Sequence, residues 1–358
     1  MKCIILVGGF GTRLRPLTFT VPKSLVPFCN KPIVEHQIAA AVKAGVKHVI
    51  LAVGWKADDM QGAIEGFKVK YGIEISCSVE TSPLGTAGPI RLAEHIIRNG
   101  GDPDEPFFVF NSDVICEFPL TEMLALHKER NAEGTICVTR VDDPSKYGVV
   151  VSSGSGRIER FVEKPSVFIS DKINAGLYIL NRSVIDRIDP GVFQMIETDV
   201  FPKMAADGGL VSFTLEGYWA DIGQPKDFLR GMKLHLASIG ARSGRAQFPN
   251  VLMDDSVTLG TDSVIGPNVV IGANCVVGKG VRISNACIMS GCRIGDFSHI
   301  NESVLGWNNR VGRWAKIDNG TITGEDVGIG EEIFMNGAVI LPHKTVKQSV
   351  VLEGKILM

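Results

Sequence analysis

Between residues 253 and 289, large aliphatic side chains recur at every sixth position: Met253, Leu259, Ile265, Ile271, Val277, Ile283 and Met289. Four residues after each of the first six stands a small or β-branched residue: Val257, Ser263, Val269, Cys275, Val281 and Cys287. Gly260, Gly266, Gly272 and Gly278 each follow a member of the first column. An ordinary strand repeats at two residues and a helix at 3.6, so neither produces a spacing of six. One large residue, one small inward residue and one turn per six residues is the signature of a parallel β-helix. The glycines are expected to turn its corners. The register slips near Arg293, resumes at Leu305, Val311 and Ile317, and is recoverable at Val327, Ile333 and Val339. This assigns residues 250–358 to a coil of hexapeptide repeats and explains Cys275 and Cys287 as stacked core residues.

The first ~235 residues follow a different rhythm. Apolar strand-like runs (Cys3 to Val7, His48 to Val53, Ile73 to Val79, Phe107 to Phe110) alternate with helix-like segments (Ile33 to Ala44, Thr86 to Arg98, Leu120 to Arg130). In the helix over 86–98, Leu92, Ile96 and Ile97 are expected to face inward. In the run 73–79, Ile73, Ile75, Cys77 and Val79 are expected to share a face. Such β-α-β alternation predicts an α/β domain with a doubly wound, mostly parallel sheet. Its ligands should sit at the carboxyl ends of strands, near the topological switch point. The turn after Val7 and Asn111-Ser112-Asp113 fit that location. From Gly134 to Leu215 short strands crowd together, as strands added at a sheet edge would. A helix from Gln224 to about Ser238 closes the domain, giving a catalytic unit at 1–238, a polar linker at 239–249 and the β-helix beyond.

Composition removes several classes. The 37 basic and 39 acidic residues leave a formal charge of −2, without the electrostatic footprint of a nucleic-acid or membrane-surface binder. No run approaches 18 apolar residues, so no transmembrane helix is expected, and the amino terminus lacks a signal-peptide pattern. The eight cysteines contain no C-x-x-C pair and read as reduced core thiols, which points to the cytoplasm.

Residues 8–16 read GGFGTRLRP. A glycine-rich turn after a strand presents backbone N–H groups to an anion, and Arg13 and Arg15 suit phosphate oxygens. No G-K-S/T follows, and Leu14 stands where the dinucleotide fingerprint needs its third glycine, so the loop is neither of those motifs.

Leu6 to Thr18 followed by Pro22-Lys23 resembles the signature of the sugar-phosphate nucleotidylyltransferases, specifically the eukaryotic-type mannose-1-phosphate guanylyltransferases of the catalytic β form. The resemblance continues in order through Pro83–Pro89, Phe110–Val114, Pro144–Val150, Phe161–Pro165, Ile173–Tyr178 and Trp219–Pro225. It implies a Rossmann-like nucleotidyltransferase domain followed by a left-handed β-helix, in agreement with the period found independently.

The resemblance also implies a reaction. A sugar 1-phosphate oxygen attacks the α-phosphorus of a nucleoside triphosphate in line, and pyrophosphate leaves. No protein nucleophile is required, so positioning and charge neutralisation carry catalysis. Arg13 and Lys23 would hold the triphosphate, and Asp113 and Asp221 would hold Mg²⁺, which takes one or two carboxylates plus phosphate oxygens and water. Read without the resemblance, Asp113 fits a helix N-cap and Asp221 a surface turn. Gly8, Gly9, Gly11 and Thr12 would cradle the nucleotide, with Glu80 and Gly85 at the base. A carboxylate at Glu80 accepts from N1–H and the amino group of guanine, although Thr81 and Ser82 depart from the more acidic family pattern. Gly148, Glu163, Lys164 and Asn174 would form the sugar-phosphate site, while Trp219 and Tyr178 read as packing residues. The implied substrates are GTP and mannose 1-phosphate, with GDP-mannose and pyrophosphate as products. Alternatives are another base or sugar, such as glucose 1-phosphate, or a non-catalytic regulatory relative. A homo-oligomer through the β-helix, or a regulatory paralogous subunit, is expected because coil ends leave unpaired edges.

Overall fold

The computed structural model describes residues 1–9, 11–54, 60–240, 244 and 246–358. Phe10 of the glycine loop and residues 241–243 and 245 of the expected linker lie outside them. The chain forms two compact units. One joins Met1–Gly9 to Val34–Trp219, and the other joins Phe10–Ile33 to Ala220–Met358.

The first unit is built on strands β1 (Lys2–Leu6), β2 (His48–Val53), β3 (Glu74–Val79), β4 (Phe107–Asn111), β5 (Gly134–Arg140), β6 (Gly148–Ser152), β7 (Ile158–Glu163), β8 (Lys172–Leu180) and β9 (Leu210–Thr214). They form one mixed sheet in the order β7-β6-β8-β4-β1-β2-β3, with β5 on β8 and β9 on β5. Strand β1 pairs parallel with β2 and β4, and β2 with β3. The chain therefore winds outward from β1 to β3 and then crosses back to β4 on the other side of β1. That crossing is the switch point expected of a doubly wound sheet. Leu6 lies opposite Asn111, so the two candidate loops leave the sheet side by side. Strand β8 runs antiparallel to β4, and β6 and β7 follow it, which is the predicted addition of strands beyond a parallel core.

Helices α1 (Ile33–Lys43), α2 (Gln61–Tyr71), α3 (Gly88–Leu92), α4 (Glu94–Arg98), α5 (Leu120–Glu129) and α6 (Phe201–Ala206) fill the connections. The segment expected as one helix over 86–98 is two, interrupted at Ala93 (φ −81°, ψ 3°). The break turns the inward face. Ile90, Ala93 and Ile97 are buried, whereas Leu92, expected inside, is 40% exposed. The alternation in β3 likewise fails at its last residue: Ser78 is buried and Val79 is exposed. Helices α2 and α6 and the π-helical turn Ile196–Val200 were not read from the sequence.

In the second unit the period of six becomes geometry. Among the described residues, three parallel sheets of seven, six and five strands run up the coil, the architecture of the hexapeptide β-helix. Val251 pairs with Val269 and Thr258 with Val276, a rise of eighteen residues, but Val269 pairs with Ala286 and Val276 with Arg293, a rise of seventeen. One residue is lost at the corner before Ala286, and that loss is the slip seen in the sequence. It also corrects two assignments. Ile288, not Met289, continues the large column by pairing with Ile271, and Cys287 pairs with Val270 instead of standing in the small column. Cys292 takes the place above Cys275. Higher up, Ile329, Met335 and Ile340 carry the large column, where Val327, Ile333 and Val339 were expected.

The glycines act differently from expectation as well. A Cβ on Gly260 would lie 2.4 Å from the carbonyl carbon of Gly278, and one on Gly272 would lie 2.7 Å from the nitrogen of Ser290. These glycines let successive coils approach. The left-handed corners fall mostly to other residues, among them Asp262 (φ 60°), Asn268 (57°) and Asn274 (58°), whose short polar side chains tolerate that region. The corner asparagines also form a ladder: Asn250 donates to Asn268 and Asn268 to Asn285, each at 3.0 Å. All eight cysteines are free thiols, and all but Cys77 are buried, as expected for reduced core residues.

Helix α7 (Pro225–Ser238) and the segment Phe10–Ile33 belong with this coil. The ring of Phe28 packs edge-on against Phe228 with centroids 5.2 Å apart. The Asn30 amide donates to the carbonyl of Ile271 at 3.0 Å.

Candidate active site

Each unit carries some of the predicted site residues. In the second, Gly11 (φ 59°) precedes a tight turn, Thr12–Leu14, that buries Leu14 and leaves Thr12 and Arg13 exposed. The Thr18 hydroxyl ties the loop back by donating to the Gly11 carbonyl at 2.8 Å. Lys23 opens a second tight turn, Lys23–Leu25. Arg15 lays its guanidinium over Phe19 at 4.8 Å. Asp221 ends the short strand Trp219–Asp221, and its carboxylate accepts from the Gly223 N–H at 2.8 Å. A Cβ on Gly223 would lie 2.8 Å from Asp221 Oδ1, 3.2 Å from Arg13 Nη2 and 3.3 Å from Lys23 Nζ. Two cations and a carboxylate distant in sequence thus converge on one glycine, where a methyl group would displace the charged ends. Such a cluster suits a polyphosphate and its counterion.

In the first unit, Gly8 and Gly9 follow β1. A Cβ on Gly8 would stand 3.1 Å from Glu80 Oε2, so the loop and Glu80 are neighbours. Burial pushes the Glu80 carboxyl above its ordinary range, and its Oε1 is enclosed without a hydrogen-bond partner. An enclosed acceptor beside a nucleotide-type loop is an unmet demand for donors. Gly85 (φ 77°) sits against Gln194, whose carbonyl oxygen would be 2.2 Å from a Cβ there. Asp113 lies in the turn between β4 and a short strand, Val114–Cys116. A strand follows it, so the helix N-cap reading is excluded.

The remaining predicted residues gather around β6, β7 and β8. A Cβ on Gly148 would be 2.7 Å from Glu163 Oε2. Lys164, in a left-handed conformation (φ 43°), pairs with Glu163 at 3.1 Å. Asn174 donates to the Tyr178 hydroxyl at 2.8 Å and accepts from the Gly176 N–H. Tyr178 is fully buried and Trp219 donates its indole N–H to the Ala175 carbonyl; both pack, as expected. Two residues here escaped sequence reading. Glu197 is a buried carboxylate whose pKa burial raises, and Thr86 donates to it. Nothing in the mixed stretch around Glu197 distinguishes it from a surface acid, so only the fold identifies it.

Among the described residues no group of three or more His, Cys, Asp or Glu side chains is placed to hold a metal ion. Asp113 in the first unit and Asp221 in the second each offer a carboxylate, the donor type that a hard divalent ion takes alongside phosphate oxygens and water.

With this geometry in view, the similarities of the chain are informative. The nucleotidyl transferase family profile matches residues 2–238. The chain belongs to that family. A second profile, the GMPPB C-terminal domain, matches residues 247–357. Mannose-1-phosphate guanylyltransferase 1 of Arabidopsis thaliana is 49% identical, and the mannose-1-phosphate guanylyltransferase catalytic subunit beta of Danio rerio is 50% identical, each over the whole of both chains. HddC from Yersinia pseudotuberculosis has a solved structure similar to 64% of this chain and 97% of its own, at a TM-score of 0.52 and 28% identity. This nucleotidyltransferase has no helix among its described residues long and apolar enough to cross a membrane.

Proposed function

We propose that this chain transfers GMP from GTP to mannose 1-phosphate, releasing pyrophosphate and forming GDP-mannose. The observation that carries the nucleotidyl-transfer chemistry is the convergence of Arg13, Lys23 and Asp221 on Gly223. The full-length similarity to mannose-1-phosphate guanylyltransferases supports the choice of substrates. Gly8, Gly9, Gly11 and Thr12 would carry the nucleotide, and Arg13 and Lys23 would bind its phosphates and neutralise the charge growing on the departing pyrophosphate. The enclosed Glu80 oxygen supports guanine, which offers N–H donors that adenine does not present in that pattern. Gly85 would back the base. Lys164 would take the sugar phosphate, while Glu163 and Asn174 orient sugar hydroxyls from the wall that Gly148 leaves open. Asp113 and Asp221 would hold Mg²⁺, which when bound draws charge from the phosphate oxygens. The attacking oxygen belongs to the sugar phosphate, so no residue need form a covalent bond.

In this reading residues 1–238 are the catalytic domain, 239–249 a linker and 250–358 the β-helix, and the protein works in the cytoplasm. The coil would also mediate assembly with a second copy or a regulatory paralogue. The stacked, solvent-facing rings of Phe297 and Trp314, centroids 4.6 Å apart, support that role.

The test is pyrophosphate release by purified protein with Mg²⁺, across a panel of nucleoside triphosphates against mannose and glucose 1-phosphates. GTP with mannose 1-phosphate is expected to lead. If another pair is turned over as well, the substrate assignment fails.

A further inference from the structure

Glu197 has no role in the reaction as described, yet its surroundings are constructed. It lies in the π-helical turn Ile196–Val200 with 8% of its surface exposed. The Thr86 hydroxyl donates to Glu197 Oε2 at 2.5 Å and accepts from the Ile196 N–H at 2.9 Å. Thr86 thus uses both hydrogen-bonding capacities of its hydroxyl on this one turn. The loop that carries Thr86 is clamped to the same segment from its other side: the Ala87 N–H donates to the Gln194 carbonyl at 3.0 Å, and the Gln194 N–H donates to the Leu84 carbonyl at 3.1 Å. Gly85 is the residue whose missing side chain permits that clamp.

The turn Ile196–Val200 packs against β7, the strand that ends at Glu163. Glu163 and Lys164 both lie close enough to act on the charge of Glu197, and its carboxylate acts in turn on the buried Tyr178. Tyr178 is the hydroxyl to which Asn174 donates. The ammonium of Lys164 therefore sits in the field of two carboxylates, Glu163 in contact and Glu197 in the turn packed on β7. Lys164 itself is 64% exposed on a long flexible stem, so a fixed negative charge nearby has positional value. A buried carboxylate costs free energy unless it is bound or used. The hydroxyl of Thr86 offsets part of that cost.

We propose that Thr86 and Glu197 form a positioning pair that holds the Lys164 and Glu163 wall from the nucleotide loop, so that hexose 1-phosphate binding depends on the loop at residues 84–88. The proposal rests on the assignment of Lys164 to the sugar phosphate. Neither Thr86 nor Glu197 is a catalytic residue; each acts through the wall.

The experiment compares wild type, Thr86→Val, Thr86→Ser, Glu197→Gln and the Thr86→Val/Glu197→Gln double variant, with the nucleotide and hexose 1-phosphate that the wild type turns over best. Thr86→Val and Glu197→Gln should each raise KM for the hexose 1-phosphate about ten-fold, the scale of one hydrogen bond to a charged group, with kcat changed much less. The double variant should be no worse than the worse single one, since both act through one carboxylate. Thr86→Ser keeps the hydroxyl and should return KM toward wild type. Unchanged hexose 1-phosphate KM in either single variant, additive losses, or a Thr86→Ser variant as impaired as Thr86→Val would overturn the proposal. Lys164→Ala serves as the separate control: if it leaves that KM unchanged, the placement of the sugar-phosphate site is wrong, not the positioning pair alone.

Discussion

Glycine does opposite work in the two units. In the β-helix it repeats because the environment repeats: Gly260 and Gly272 each face a backbone one coil away, and a methyl group at either would meet main-chain atoms within 3 Å. In the sheet unit three glycines each meet a different neighbour. Gly85 meets the Gln194 carbonyl, Gly148 meets Glu163, and Gly8 meets Glu80. The first kind is a packing rule, so a change should cost stability. The second kind makes room for function, so a change should cost activity. The charged cluster at Gly223 belongs to the second kind although it lies in the unit that contains the coil.

The largest effect that would sharpen this contrast concerns the carboxylates. Asp113→Asn and Asp221→Asn should each lower turnover about a thousand-fold, the scale of losing a metal's charge stabilisation, with melting unchanged. Near-normal kcat in either variant removes that residue from the metal assignment. Next, Gly223→Ala pushes a methyl group into Arg13, Lys23 and Asp221. It should lower kcat roughly ten- to a hundred-fold, because small misplacements at a reacting centre are costly. Steady-state rates with circular dichroism would separate this from unfolding.

Gly260→Ala is the mirror experiment. Overpacking against the neighbouring coil should destabilise by about 1–3 kcal/mol while kcat per folded molecule stays the same. Loss of turnover at full folding would mean that the contrast between the two kinds of glycine is wrong.

The smallest effect is a pH dependence. Burial raises the Glu197 carboxyl in the folded state. Its contribution to stability is therefore fully present below the unfolded carboxyl pKa and is lost as pH rises through the folded value. Glu197→Gln lacks that loss, so it should melt higher than wild type at neutral pH, with the gap closing on acidification. Denaturation followed across the acid range checks the sign. A stabler variant that binds sugar phosphate worse is the expected exchange at a functional group.

The coil was legible in the sequence because every side of it asks the same question of its residues. Six of the seven positions read at a spacing of six lie in the large column of the coil. The alternation of the first unit gave its parallel strands for a similar reason, since buried strands are continuous apolar runs. Legibility ended where one position differs from its equivalents. A missing residue before Ala286 moved Met289 and Cys287 out of their columns, and a break at Ala93 turned Leu92 outward. Arg13 was legible from its glycine-rich loop, whereas Lys23, Asp113, Lys164 and Asp221 followed from resemblance and not from any periodicity.

What the sequence determined by itself, then, is the class of each region and the residue types held ready for phosphate, metal and sugar. Local spacing encodes both, because a repeat or a strand-to-loop turn is written in adjacent residues. Only the tertiary structure decided which of those residues meet. Arg13, Lys23 and Asp221 converge across some two hundred positions. One oxygen of Glu80 is enclosed by the fold, and Thr86 finds Glu197. Each depends on burial and long-range contact, which no window of the sequence contains.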